Sequence, residues 1–231
     1  MPREMIEAFG EEGDFSRQHL LNPTIFSLLG DAAGLQILDA GCGNGYLSRM
    51  LAKRGATVTG VEPATALVQY AIEREANEPQ GITYYEADLT RWRSTQRFDA
   101  VIANMVLMDI ADYEAALDSC LYHLREGGKF IFSLTHPCFE ASDSQFREIG
   151  HIAVKSYFEQ VELEQQWGNR FHRPLSDYLN ALIQRGGIIS AVVEPQLDPS
   201  KAQYPLAIER NLHVPAFIVI CVRKAGTMFI I

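Results

Sequence analysis

Short apolar segments alternate along the chain with segments whose apolar residues recur at helical spacing. Five strand-like segments occur in the first 137 residues, at 35–40, 56–63, 82–88, 97–110 and 129–137. The segments between them include a predicted helix at 113–129, which ends at a pair of glycines. This alternation is typical of a parallel sheet whose strands are joined by crossover helices.

The pattern changes after residue 137, where aromatic residues and histidines become frequent up to residue 173. Val161 and Leu163 alternate with polar neighbours in this stretch, which predicts an exposed strand. A helix and two further strands are predicted at 174–187, 188–195 and 215–224. A hairpin-like return between the last two strands would place the final strand antiparallel at the far side of the sheet.

Length and composition narrow the class of protein. The 231 residues predict one domain over 1–231, with an N-terminal helical segment at 1–34 and a substrate-cap insertion at 138–173. The net charge of −9 argues against a nucleic-acid substrate, because an acidic surface repels phosphate backbones. The four scattered cysteines fit neither a disulfide framework nor a zinc site, and no metal is expected.

The ends and the apolar segments of the chain bear on its location. The first residues carry several acids and no apolar run, so they do not resemble a signal peptide. No segment reaches the roughly 18 apolar residues that a membrane helix needs. We therefore expect a cytoplasmic protein that does not contact membranes.

A glycine-rich turn at 41–45 directly follows the first strand and opens a helix. Glycine suits such a turn, because the backbone bends sharply and a ligand approaches where a Cβ would collide. A dinucleotide fingerprint reads G-x-G-x-x-G, whereas the third glycine here arrives one residue early and Tyr46 occupies its expected place. Asp39, beside the turn, would repel a pyrophosphate but suits a cationic amino or sulfonium group. The turn thus favours S-adenosylmethionine over a dinucleotide.

Two further acidic residues end the next strands. Glu62 ends the second strand, where a carboxylate can accept both ribose hydroxyls of a nucleoside. Asp88 ends the third strand, where its carboxylate can accept a hydrogen bond from the exocyclic amine of adenine. Each acid alone could instead cap a helix N-terminus. Three acids at one sheet edge together with the glycine turn make a ligand site the better interpretation.

Three segments resemble the class I S-adenosylmethionine-dependent methyltransferases: ILDAGCGNGYLSRMLAKRGATVTGVEPATALVQYA, FDAVIANMVLMDI and LREGGKFIFSLTHP. The resemblance is strong over 35–137. It implies an α/β, Rossmann-like, doubly wound sheet of seven mostly parallel strands with an antiparallel last strand, here with a substrate-side insertion. It also implies that S-adenosylmethionine contacts Asp39, Gly41, Gly43, Glu62, Pro63, Asp88, Leu89 and Asn104. Cys42 lies inside the turn and is included among the predicted cofactor-binding residues, although a small packing residue is the better interpretation of its side chain.

His136 is the predicted catalytic residue, because it ends the fifth strand and Pro137 forces an extended backbone there. Asp109 and His172 are the candidates to orient its ring, and the alternative is a histidine that anchors a loop. Within the insertion, Tyr157, Trp167 and His172 are candidate substrate contacts, although its aromatic residues are equally consistent with a small satellite core.

The predicted function is S-adenosylmethionine-dependent methyl transfer to an oxygen or nitrogen of a small-molecule acceptor. Two alternatives remain open from the sequence. One is a protein that binds S-adenosylmethionine without catalysis, because positioning rather than a unique nucleophile makes this catalyst. The other is a small dinucleotide-dependent oxidoreductase, against which the early third glycine counts.

Overall fold

The computed structural model describes residues 1–139, 154, 156–166, 168–202 and 210–225. Within these residues the α-helices are α1 (Arg3–Glu7), α2 (Asn22–Leu29), α3 (Tyr46–Ala52), α4 (Thr65–Asn77), α5 (Tyr113–His123), α6 (Leu175–Gln184) and α7 (Arg210–His213). The strands are β1 (Gln36–Ala40), β2 (Thr57–Glu62), β3 (Thr83–Glu86), β4 (Phe98–Asn104), β5 (Leu124–Thr135), β6 (Val161–Gln165), β7 (Gly168–His172), β8 (Gly187–Val193) and β9 (Phe217–Lys224). Shorter turns are a π-helix at Arg17–Leu21 and 3₁₀ helices at Leu107–Asp109, Pro137–Phe139 and Pro199–Lys201.

Seven strands form one mixed sheet in the order β3-β2-β1-β4-β5-β9-β8. The first five strands are parallel, and β9 is antiparallel to both β5 and β8. The predicted α/β sheet with an antiparallel last strand is therefore confirmed. The last strand lies one position inside the edge, however, and β8 takes the edge. Five consecutive residues of β9 are buried whereas burial alternates along β8, which suits an inner strand and an edge strand respectively.

Side chains of the central strands alternate between two apolar layers. Leu38 and Phe130 pack on the face covered by α5 and α6. Ile37 and Ile131 pack on the opposite face, which α2 and α3 cover. This two-sided burial explains why the strands appear in the sequence as continuous apolar runs rather than as alternating patterns.

Helix α5 ends at His123, which corrects the predicted helical span to residue 129. Leu124 leaves the helix in an extended conformation and buries its side chain in the core. A Cβ on Gly128 would lie 2.8 Å from the Leu124 side chain and 2.9 Å from the Asp99 carbonyl oxygen. Gly128 therefore leaves room for the Leu124 side chain and the Asp99 carbonyl within β5, and the glycine pair does not end a helix.

The insertion carries a separate two-stranded sheet of β6 and β7. Val161 and Leu163 are exposed on β6, which confirms the predicted exposed strand. Most of the remaining insertion, including Trp167, lies outside the described residues.

Candidate functional site

Asp39 and Glu62 lie at the carboxyl ends of the neighbouring parallel strands β1 and β2. Their side chains are only 2% and 8% exposed. Burial, with a smaller contribution from the nearby Glu62 charge, raises the pKa of Asp39 to about 7, although a hydrogen bond of 2.6 Å from the Ser48 hydroxyl acts in the opposite direction. Neither carboxylate forms an ion pair in the described part of the chain. Two buried acids without a cation suit a ligand that supplies positive charge and hydroxyl donors.

Glu62 is fixed by the backbone on both sides of its carboxylate. Gly43 N donates to one carboxylate oxygen at 3.0 Å, and Ala64 N donates to the other at 2.9 Å. Burial raises the pKa of Glu62 even against these two bonds. An ionised carboxylate accepts about four hydrogen bonds, so both oxygens retain capacity for ligand hydroxyls. Glu62 thus anchors the turn to the start of α4 as well as facing the site.

The glycines of the turn have φ angles of 75° at Gly41, 55° at Gly43 and 75° at Gly45. A Cβ on Gly41 would lie 2.6 Å from Val106, and one on Gly45 would lie 2.5 Å from the Tyr84 hydroxyl. A Cβ on Gly43 would meet no protein atom within 4 Å. The expectation that the glycines make room for a ligand therefore applies at Gly43, whereas Gly41 and Gly45 make room for protein side chains.

Backbone amides of the turn are largely used inside the protein. Gly41 N and Cys42 N both donate to the Val61 carbonyl, at 2.8 and 3.1 Å. Gly43 N donates to the Glu62 side chain. A pyrophosphate needs such amides free to point towards its oxygens. The turn is therefore poorly suited to a dinucleotide and is consistent with a ligand that carries no phosphate.

The other predicted cofactor residues differ in environment. Cys42 is buried, and its Sγ lies 2.8 Å from where a Cβ on Gly60 would stand, which makes it a packing residue behind the turn. Burial holds the pKa of the Cys42 thiol well above its ordinary value. Leu89 is buried in the core, whereas Pro63 is exposed directly after β2.

Asp88 lies two residues beyond β3, which ends at Glu86 rather than at the predicted residue 88. One oxygen of its exposed carboxylate accepts hydrogen bonds from Thr90 N at 2.9 Å and from the Thr90 hydroxyl at 2.8 Å. Such an acid organises a local turn. Its contact with adenine stays a prediction.

Asn104 ends β4, and the next residue, Met105, has a φ of 61°. A left-handed conformation is strained for a residue other than glycine, and such strain concentrates at functional sites. The Asn104 amide donates to the Tyr46 hydroxyl and accepts from the Ser133 hydroxyl, both at 2.6 Å. Since its side chain is engaged in this way, Asn104 has its main chain to offer to a ligand.

His136 follows β5 and is 4% exposed. Its Nε2 lies 2.9 Å from a carboxylate oxygen of Glu194, and its Nδ1 accepts from Cys138 N at 3.2 Å. The ring partner is therefore Glu194, and the expectation that Asp109 or His172 orients the ring is corrected. Glu194 follows β8, and the parallel strands β5 and β8 bring both residues to one sheet edge. Both ring nitrogens are engaged, so the catalytic role of His136 stays a prediction.

Tyr157 and His172, two candidate substrate residues, lie together in the insertion. The His172 Nε2 is 3.0 Å from the Tyr157 carbonyl oxygen, and the Tyr157 hydroxyl accepts from Leu175 N at 2.9 Å. These contacts attach the insertion to the start of α6. Contact with a substrate remains untested for both residues.

Arg173 is a functional candidate that sequence reasoning missed. Its buried guanidinium donates to the carbonyls of Ile110 and Ala111 at 2.8 Å and lies 4.5 Å from the Tyr113 ring centroid. It therefore fixes the loop that follows β4, the loop whose Val106 lies against Gly41 of the glycine turn. The sequence around Arg173 does not reveal these contacts, because Ile110 and Ala111 are more than 60 residues away along the chain.

Within the described ranges, no three His, Cys, Asp or Glu side chains converge in an arrangement suited to a metal ion. Nor do those ranges contain a helix of the length and apolarity required to cross a membrane.

The sheet order, the reversed β9 and a glycine turn whose amides bond inside the protein, beside two buried acids, are features of the class I S-adenosylmethionine-dependent methyltransferase fold. Residues 38–132 match the family described as a methyltransferase domain. The matched domain and the fold are those of the class I S-adenosylmethionine-dependent methyltransferases. S-adenosylmethionine is the cofactor of that class, and the uncompensated acids and the open space at Gly43 fit it.

Several known proteins are similar to this chain. The ubiquinone biosynthesis O-methyltransferase of Coxiella burnetii (strain RSA 493 / Nine Mile phase I) is 32% identical over 133 residues, which cover 56% of this chain and 57% of that protein. The enzyme of the same name from Pasteurella multocida is 28% identical, with 56% and 60% covered. The chain thus matches less than two thirds of the length of these curated relatives.

Among solved structures, an S-adenosylmethionine-dependent methyltransferase from Mesorhizobium loti is 26% identical, with a TM-score of 0.79 over 93% of this chain and 100% of the other. A putative S-adenosylmethionine-dependent methyltransferase from Listeria monocytogenes shares the fold at 23% identity, with a TM-score of 0.76 over 88% and 96% of the two chains.

Proposed function

We propose that this chain transfers the methyl group of S-adenosylmethionine to an oxygen or nitrogen atom of a small-molecule acceptor. The observation that carries the proposal is the pair of buried acids, Asp39 and Glu62, on either side of the open position at Gly43. A cationic amino acid end suits Asp39, and ribose hydroxyls suit Glu62. We place the adenine near Asp88 and Leu89, and the methionine end near the main chain of Asn104.

Methyl transfer demands little acid–base chemistry from the protein. The sulfonium supplies an activated methyl group, so alignment in a dry pocket accounts for most of the acceleration. Asn104, held by Tyr46, and the loop that follows it, held by Arg173, supply a rigid wall at the end of β4. A base is needed only if the acceptor loses a proton, and we keep His136 as the candidate for that step.

The acceptor side is proposed to include the insertion 138–173, within one domain over 1–231. Tyr157, Trp167 and His172 are its proposed contacts. The name of the curated relatives, an O-methyltransferase of ubiquinone biosynthesis, favours an oxygen acceptor on a small molecule. The net charge of −9 disfavours a nucleic acid. The four cysteines are free thiols, which favours a reducing compartment such as the cytoplasm.

The two alternative functions make different demands on the glycine turn. A dinucleotide-dependent oxidoreductase needs free amides for a pyrophosphate, but Gly41 N, Cys42 N and Gly43 N donate inside the protein. We therefore favour S-adenosylmethionine over a dinucleotide. A non-catalytic S-adenosylmethionine-binding protein would share every feature of the donor site, by which we mean the proposed S-adenosylmethionine site around Asp39, Gly43, Glu62 and Asn104. Only an activity measurement separates such a protein from an enzyme.

The experiment has two stages. Thermal shift is measured in parallel with S-adenosylmethionine, S-adenosylhomocysteine, NADH and NADPH, and only the first two ligands are expected to raise the melting temperature. Methyl-labelled S-adenosylmethionine is then incubated with a panel of phenols, catechols, amines and carboxylic acids. Stabilisation by NADH alone would refute the proposal. Binding without transfer to any acceptor class would favour the non-catalytic alternative.

A further inference from the structure

A continuous line of hydrogen bonds begins at the strained end of β4. Met105 N donates to the Ser133 hydroxyl at 2.9 Å, and that hydroxyl donates to the Asn104 side-chain oxygen at 2.6 Å. The Asn104 side-chain nitrogen then donates to the Tyr46 hydroxyl at 2.6 Å. These bonds hold Met105 in its left-handed conformation from the side of the sheet.

The same line continues from Tyr46 into the N-terminal segment. The Tyr46 hydroxyl lies 3.2 Å from the side-chain oxygen of Asn22, which is the first residue of α2 and is 2% exposed. The Asn22 side-chain nitrogen donates to the Glu12 carbonyl at 2.8 Å. A Cβ on Gly13 would lie 3.2 Å from the Tyr46 ring, so this part of the chain rests directly on the aromatic ring.

Tyr46 occupies the middle of this line and connects its two halves. Its hydroxyl has one proton and accepts through its lone pairs, so it receives from Asn104 and donates to Asn22. Each donor in the line thereby has an acceptor, and each step points the same way. Replacement by phenylalanine keeps the buried ring but leaves an Asn104 donor and an Asn22 acceptor unpaired.

We propose that Tyr46 is a positioning residue that couples the N-terminal segment, here residues 12–22, to the donor site at the end of β4. Through Asn104 it fixes the main chain that faces the methionine end of S-adenosylmethionine. This inference rests on the proposed function, because that function places the cofactor against Asn104. By reciprocity, a cofactor that requires the ordered end of β4 also orders residues 12–22.

The first test measures the affinity for S-adenosylhomocysteine by calorimetry. Tyr46→Phe is expected to raise the dissociation constant about tenfold, and Asn22→Ala to raise it about threefold. The double variant is expected to bind no more weakly than Tyr46→Phe, because both changes break one line. Tyr84→Phe is the matched control, since its hydroxyl is buried beside the same turn but takes no part in the line of hydrogen bonds through Tyr46. Its affinity should stay within about twofold of the wild type.

The second test follows hydrogen exchange of residues 12–22 with and without S-adenosylhomocysteine. The ligand should slow exchange there in the wild type and in Tyr84→Phe, but not in Tyr46→Phe. A Tyr46→Phe protein that melts earlier yet binds with wild-type affinity would overturn the inference, because Tyr46 would then serve packing alone. If Tyr46→Phe does not fold, Asn22→Ala decides, and unchanged affinity and exchange in that variant overturn the inference. Absence of binding by the wild type would instead refute the proposed function.

Discussion

At the scale of single residues, we expect Asp39 to make cofactor binding depend on pH. The folded protein holds the pKa of Asp39 at about 7, above its ordinary value of 3.8, because the carboxyl is buried. The stability that a protonated Asp39 contributes is complete below pH 3.8 and is lost as the pH rises through about 7. A bound cation favours the ionised form, so affinity for S-adenosylmethionine should increase as the pH rises past 7.

Asp39→Asn should separate these two effects. The variant lacks the cost of ionising a buried acid, so at pH 8 its free energy of unfolding without ligand should exceed the wild-type value by about 1–3 kcal/mol. It should also bind S-adenosylmethionine at least tenfold more weakly, with affinity that no longer rises across pH 7. Urea denaturation and calorimetry at pH 6 and pH 8 measure both quantities. Lower stability of the variant at pH 8 would contradict the argument.

Two glycines of the turn should respond differently to a single added methyl group. Gly41→Ala places its Cβ against Val106 and should lower the free energy of unfolding by about 2–4 kcal/mol. Gly43→Ala meets no protein atom and should cost about 1 kcal/mol, the strain of a positive φ. It should nevertheless weaken S-adenosylhomocysteine binding tenfold or more, because the methyl group enters the ligand space. Normal affinity of Gly43→Ala would show that the ligand does not cross the turn.

At the scale of elements, His136 and Glu194 join the ends of β5 and β8. In the proposed catalytic role, Glu194 orients the ring, and the acceptor displaces the Cys138 amide from Nδ1. His136→Ala should then lower the single-turnover transfer rate about 10²-fold while S-adenosylhomocysteine affinity changes only a few-fold. Glu194→Gln, which retains a hydrogen-bond acceptor, should have a smaller effect. Wild-type rates in both variants, with lowered melting temperatures, would make His136 an anchor between the two strands.

At the scale of the whole molecule, the donor site joins β1, β2, β4 and the N-terminal segment. A ligand that binds only the folded chain stabilises all of them together. At a concentration about 100 times its dissociation constant, S-adenosylhomocysteine should raise the free energy of unfolding by about 2.7 kcal/mol. For a chain of this length that corresponds to a rise in melting temperature of about 5–10 °C. NADH at the same concentration serves as the control, and an equal shift with NADH would contradict the assignment of the site.

Much of the fold was predictable because it depends on the local pattern of apolar and acidic residues along the chain. Continuous apolar runs indicated strands that are buried on both faces, and the acids Asp39 and Glu62 stood at strand ends that a parallel sheet must bring to one edge. The positions of those acids follow from chain order alone. Their shared neighbourhood could therefore be predicted from the amino-acid sequence, as could the preference of the turn for a ligand without phosphate.

Other features depended on contacts that local patterns do not encode. The glycine pair at 127–128 is typical of a helix end. The helix instead ends at His123, because Leu124 is buried in the core and begins β5, three residues before Gly127. The pattern of the turn predicts ligand clearance at Gly41, although it is Val106 that requires the missing side chain. In both cases the deciding contact is one that the glycine pattern does not show, with Leu124 and Asp99 at Gly128 and with Val106 at Gly41.

The sequence by itself determined the class of this protein, because the strand pattern, the turn and the acids beside it are local features with fixed spacing. Only the tertiary structure decided which side chains meet across the site. Tyr46 reaches Asn22 over 24 residues and Asn104 over 58, and His136 reaches Glu194 over 58. Such pairs arise from strand order and helix packing, so the periodicity of the sequence cannot predict them. The positioning of the donor site is therefore a property of the folded chain and not of any one segment.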